Sequence, residues 1–340
     1  MSQTRRQFAA AALALGLAPL ARPARAQARP APLVIARGAA AGGWPAQSRG
    51  AYEEAASQGA DFLEGGLVPT KDGALVVRAD NELSAATDIA SRPEYAERRT
   101  TRVLDGVTRE GWFAEDFTLA ELKSLNLAGA PRDRRTTTDG RPAILTFDDL
   151  TAIARAACVS QARVVGVCAT LLHPRYFASL DLPLEARLAE AVSRLGYNSA
   201  ASGMLIASPD PVALKTLAGL TRVRRIQILT DDPKGLALES LQALARQVWA
   251  VAFPAAALLD LTNPRAVKAS DLIAKTHVAG LNVQAWTGQG VTVFPPPPFR
   301  PGDARRLLAL LFAAGLDGAC ADSAQLVTRA RSDALTPHNN

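Results

Sequence analysis

Short apolar runs of strand length alternate with amphipathic stretches along most of this chain. "PLVIARG" (32–38) precedes "SRGAYEEAASQGA", whose Ala and Tyr positions recur at helical spacing. "DFLEGGLVP" and "ALVVR" predict strands around the turn Lys71-Asp72-Gly73. After residue 143 the alternation is regular. "FDDLTAIARAA" predicts a helix, with Thr146 placed to cap it and Asp148 and Asp149 suiting its dipole. "RVVGVCATLL", "GMLIAS", "RRIQILT", "VWAVAFPA", "NVQAWT" and "GACAD" each lead into a helical pattern. That makes about eight strands, nearly all followed by helices, and the pattern fits a closed (β/α)8 barrel better than an open sheet.

Residues 81–143 break the pattern. They are polar, Arg-rich and irregular, with only "TLAELKSL" helical, and are expected to form an insertion over one end of the barrel. Its "RDRRTTTDGRP" is expected to be a solvated loop. "FPPPPF" (294–299) is an extended spacer, and residues 336–340 are expected to fray.

The first 26 residues change the charge picture. Arg5-Arg6, a nearby Phe8, a short apolar core and an Ala-Arg-Ala ending at Ala26 have the order of a twin-arginine export signal. The formal charge of +6 loses Arg5, Arg6, Arg22 and Arg25, leaving +2 for residues 27–340. No basic patch interleaved with aromatics marks nucleic acid as a partner, and no stretch is long and apolar enough for a membrane span. Cys158, Cys168 and Cys320 lack metal-like spacing and sit in apolar contexts, so they are expected to be structural thiols.

Five stretches carry a resemblance: "VIARGA", "QGADFLEGGLVPTKDGALVVRAD", "EDFTLAELKSL", "AGLNVQAWT" and "GLDGACAD". Over residues 27–335 the chain resembles the periplasmic glycerophosphodiester phosphodiesterases, within the phosphatidylinositol-phosphodiesterase-like group. The resemblance implies a single-domain TIM barrel and hydrolysis of phosphodiesters in lipid metabolism. It also implies two acid/base histidines and a divalent cation such as Ca2+ or Mg2+. The family's Ala-His-Arg-Gly is here Ile35-Ala36-Arg37-Gly38, and its Val-Val-x-His-Asp is Val76-Val77-Arg78-Ala79-Asp80. Both histidine positions are alanine. The resemblance would place metal carboxylates where Ala46, Gly66 and Thr170 stand, and a phosphate-binding lysine where Leu172 stands. A Gln usual at the end of the fourth strand is replaced by Ala207.

Arg37, Glu64, Asp80 and Trp286 remain as candidate ligand-binding residues. Arg37 could grip a phosphate bidentately or pair with Glu64 or Asp80 across the mouth, and Trp286 could pack on an alcohol moiety or simply fill space. Of the three histidines, His338 is in the tail and His277 is on the wrong side of the barrel; only His173 is placed near the mouth. A positioned acid or base is worth roughly 10²–10⁴ in rate, and one Glu cannot hold a cation that wants about 6–8 oxygens. The expectation is an exported pseudoenzyme with no bound metal, keeping a pocket for a small phosphodiester or anion. Two alternatives stay open. One is an active phosphoric diester hydrolase with a remodelled site drawing on Asp80, Glu64, Asp322 and His173. The other is an interaction protein using the insertion.

Overall fold

In the computed structural model, residues 30–38, 43–128, 142–230, 233, 235–263, 265–287 and 294–336 are described. The expected export segment (1–26), residues 132–141 of the Arg-rich stretch and the tail from 337 lie outside them.

Eight parallel strands close on themselves: β1 (Leu33–Arg37), β2 (Phe62–Pro69), β3 (Gly166–Leu171), β4 (Met204–Ser208), β5 (Arg224–Ile228), β6 (Ala250–Pro254), β7 (Asn282–Trp286) and β8 (Gly318–Ala321). β1 pairs with β8 on one side (Ile35 beside Cys320) and with β2 on the other (Arg37 beside Glu64), which completes the barrel. The alternation of side chains explains why several strands read as unbroken apolar runs: both faces are covered. Ile35, Cys168, Leu205, Ala207, Ile226, Ala252 and Cys320 point inward and pack together. Their neighbours Val34, Val167, Ile206, Val251 and Val283 face the helices in a second, larger core. The three thiols are free, Cys168 and Cys320 buried and Cys158 partly so.

Helix starts follow the sequence signals. Thr146 accepts from the Asp149 N–H at 3.0 Å, and the Asp149 carboxylate accepts from the Thr146 N–H at 2.8 Å. Ser48 caps the helix Arg49–Ser57 that follows β1. Among the described residues, no helix is long and apolar enough to cross a membrane.

The insertion departs from the irregular segment expected. Thr100–Leu104 and Val107–Gly111 form an antiparallel hairpin whose two-residue turn, Asp105-Gly106, has positive φ at both positions. That is the geometry whose backbone twist matches the strands it joins. Leu83, Ile89, Trp112, Phe117, Leu122 and Leu125 of the insertion join the main core. Buried Glu115 fixes it further by accepting from the Asn81 amide at 3.1 Å and from the Tyr176 hydroxyl.

Candidate functional site at the barrel mouth

The C-terminal ends of the strands surround a cavity of about 260 Å³, where this architecture places ligands. Arg37, Glu64, Thr170, Trp286 and Asp322 contribute polar or aromatic groups to its lining, and Leu172, Ile228 and Leu229 apolar ones. Glu64 and Thr170 face inward because they stand two residues beyond Phe62 and Cys168, which also face inward.

The ends of β1 and β2 are locked together under the cavity. The Glu64 carbonyl accepts from the Gly38 N–H at 3.1 Å and from the Tyr52 hydroxyl at 2.9 Å. Gly38 sits at φ +56°, in the left-handed region, and its carbonyl accepts from the Gln47 N–H at 2.7 Å. The Glu64 side chain is buried and forms no ion pair among the described residues. Burial pushes its pKa from 4.5 to about 7. The Thr170 hydroxyl, the Arg37 charge and the Gly38 amide pull the other way, and the Asp322 charge adds to the rise. The Thr170 Oγ1 is itself buried and completes no well-formed hydrogen bond, and neither does the Arg37 Nε.

The four candidate ligand-binding residues do not all converge. Arg37, Glu64 and Trp286 line the cavity; Asp80 does not, because its carboxylate is held by Arg109 of the insertion hairpin. Arg37 pairs with Asp322 at 2.7 Å, in place of the expected Glu64 or Asp80. His173 also misses the lining. It adopts φ +47° and its Nδ1 meets the Asp105 carboxylate at the hairpin tip. His277 pairs with Asp317 at 2.7 Å, before the start of β8. The insertion thus occupies two of the groups that a remodelled acid/base site would draw on. The cues for this were Asp105-Gly106 and the arginines around it, which composition alone reads as solvated charge.

At the family's histidine positions, Ala79 lines the cavity and Ala36 does not; Ala36 is fully buried in the outer core with Val34. Gly66 lies against backbone. A Cβ there would come within 2.3 Å of the Arg78 carbonyl oxygen and 2.8 Å of Leu172 Cδ1.

Residues 37–326 match the glycerophosphoryl diester phosphodiesterase family. The chain belongs to that family. It is similar to a glycerophosphodiester phosphodiesterase of Arabidopsis thaliana, at 26% identity over 284 residues, covering 75% of this chain and 74% of that one. A glycerophosphodiester phosphodiesterase of Haemophilus influenzae is 25% identical over 232 residues, 64% of this chain and 58% of that one. The chain therefore spans 58% to 74% of the length of these curated relatives. In fold it is similar to a phosphodiesterase of Oleispira antarctica solved with the product sn-glycerol-3-phosphate (TM-score 0.61, 18% identity, 88% of this chain and 97% of that one).

The divalent cation implied by membership of the glycerophosphoryl diester phosphodiesterase family does not fit these residues. Glu64 is the one carboxylate left at the corresponding positions, and Asp322 is engaged by Arg37. The backbone behind Gly66 leaves no room for a donor side chain. Among the described residues, no three His, Cys, Asp or Glu side chains converge as a metal site requires.

Proposed function

We propose that this chain is an exported member of the family in which phosphodiester hydrolysis is lost and the barrel mouth persists as a small-molecule binding pocket. The observation that carries the reading is the backing of Gly66 by the Arg78 carbonyl: the site has closed over a metal-ligand position as well as lost its side chain. Ala36 and Ala79 support it, since among the described residues no imidazole lines the cavity and His173 is tied to Asp105. Two missing acid/base groups and a missing Lewis acid act on the same transition state, so their losses do not simply add. Even one of them removes most of the rate. Export rests on the Arg5-Arg6 segment and its Ala-Arg-Ala end, and implies a periplasmic location with cleavage after Ala26.

The test is hydrolysis of a glycerophosphodiester by residues 27–340, with and without Ca2+ or Mg2+. The reading expects no turnover above the uncatalysed background; metal-dependent turnover overturns it. A second reading, a remodelled acid/base site, draws on Glu64, whose pKa of about 7 suits proton transfer at neutral pH. It expects metal-independent turnover that disappears in Glu64→Gln.

A further inference from the structure

The charged groups at the mouth lean negative. Leu172 stands where the resemblance would put a phosphate-binding lysine, so that side of the wall offers an anion no charge. Among the described residues the one guanidinium in the lining, Arg37, is already paired with Asp322 at 2.7 Å. What remains without an ion-pair partner is the Glu64 carboxyl, eased only by the Thr170 hydroxyl, the more distant Arg37 charge and the Gly38 amide. Glu64 is 4% exposed, lines the cavity and has no ion-pair partner among the described residues. Beside it the Thr170 Oγ1, also buried, completes no well-formed hydrogen bond. A buried polar group without a partner is costly, and the cost is removed by a ligand that supplies what is missing.

Above pH 7, where Glu64 ionises, the charges of the described lining (Arg37, Glu64, Asp322) sum to minus one. A phosphate monoester or diester makes that sum more negative, in a cavity walled by Leu172, Ile228 and Leu229. An uncharged alcohol leaves it unchanged. A monovalent cation brings it to zero and donates charge-assisted hydrogen bonds to the carboxylate. Trp286 adds an indole, the ring that attracts cations best. The volume, about 260 Å³, suits a small molecule.

Building on the reading of the mouth as a binding pocket, we propose that it binds a small primary ammonium compound, an amine head on a short apolar body. Glu64 is its buried counter-ion and Thr170 a second hydrogen-bond partner. The ammonium sits over the carboxylate, and the apolar body lies against the Leu172 side of the cavity.

The experiment is calorimetric titration of the full chain at pH 8, where Glu64 is mostly ionised, with three probes in one buffer: n-butylamine (still charged at that pH, as a lysine amine is), 1-butanol and sn-glycerol 3-phosphate. Butylammonium should bind at least tenfold more tightly than butanol, and glycerol phosphate should not bind. Glu64→Gln should weaken butylammonium at least tenfold, and Thr170→Val should weaken it by less. Asp322→Asn, which releases Arg37, should weaken the amine and admit glycerol phosphate. Circular dichroism checks that each variant folds. Tighter binding of glycerol phosphate than of butylammonium by the natural chain overturns the proposal and leaves the pocket reading standing. Unchanged amine affinity in folded Glu64→Gln also overturns it. If no probe binds, the proposal and the pocket reading fall together. Turnover in the hydrolysis assay would defeat the pseudoenzyme reading alone.

Discussion

Replacing Glu64 by Gln should stabilise the protein, and more so as the pH rises. The carboxyl is buried and its pKa is about 7, against 4.5 for an ordinary glutamate. Desolvation is the main cause, so the folded state favours the protonated form. A group raised in this way contributes stability that is fully present below pH 4.5 and is lost as pH rises through 7. The gap corresponds to about 3 kcal/mol at about 1.4 kcal/mol per pH unit. Because part of the loss already falls below pH 5, the interval from about pH 5 to 8 should carry about 2–3 kcal/mol of it. Glutamine keeps the shape and cannot ionise. The assay is urea unfolding of the natural chain and Glu64→Gln across that interval. The difference in unfolding free energy should open in favour of the variant as pH rises. A constant difference, or one that moves the other way, would refute a buried carboxyl held without a counter-ion.

Other expectations follow from the structure and the sequence. A chain with Ala36→His, Gly66→Asp, Ala79→His and Thr170→Glu should stay inactive in the phosphodiester assay, because position 36 faces the outer core and position 66 is backed by the Arg78 carbonyl; recovered turnover would contradict this. Gly66→Ala alone should cost about 1–3 kcal/mol in urea unfolding through overpacking against that carbonyl. Thr146→Ala should cost about 1 kcal/mol, the usual effect of losing a helix cap. Arg5→Lys with Arg6→Lys should hold the chain in the cytoplasm, read by cell fractionation.

The barrel was legible because its strands are buried on both faces and its helices carry amphipathic periodicity, two patterns that each depend on local sequence. The Thr146 cap was legible for the same reason. The hairpin was not, although Asp105-Gly106 is a strong turn signal. Its strands, "TTRVL" and "VTREG", expose most of their residues, so they lack the apolar alternation that marks a half-buried strand. At the site, losses were readable by position: alanine at 36 and 79, glycine at 66. Pairings were not. Arg37 with Asp322, Asp80 with Arg109 and His173 with Asp105 join residues 285, 29 and 68 positions apart, and only the closed barrel and docked hairpin bring them together. Nor can the pressure of the Arg78 carbonyl on Gly66 be read from composition, since it depends on a backbone hydrogen bond from Arg78 N–H to the Gly66 carbonyl at 2.8 Å.

The most direct measurement is the turnover of a glycerophosphodiester by purified residues 27–340 in the presence and absence of Ca2+ or Mg2+. A rate indistinguishable from the uncatalysed background under both conditions is the predicted result. A rate that rises with the cation would contradict the account at its centre, because it would require a metal site that the residues around Gly66 and Glu64 do not provide.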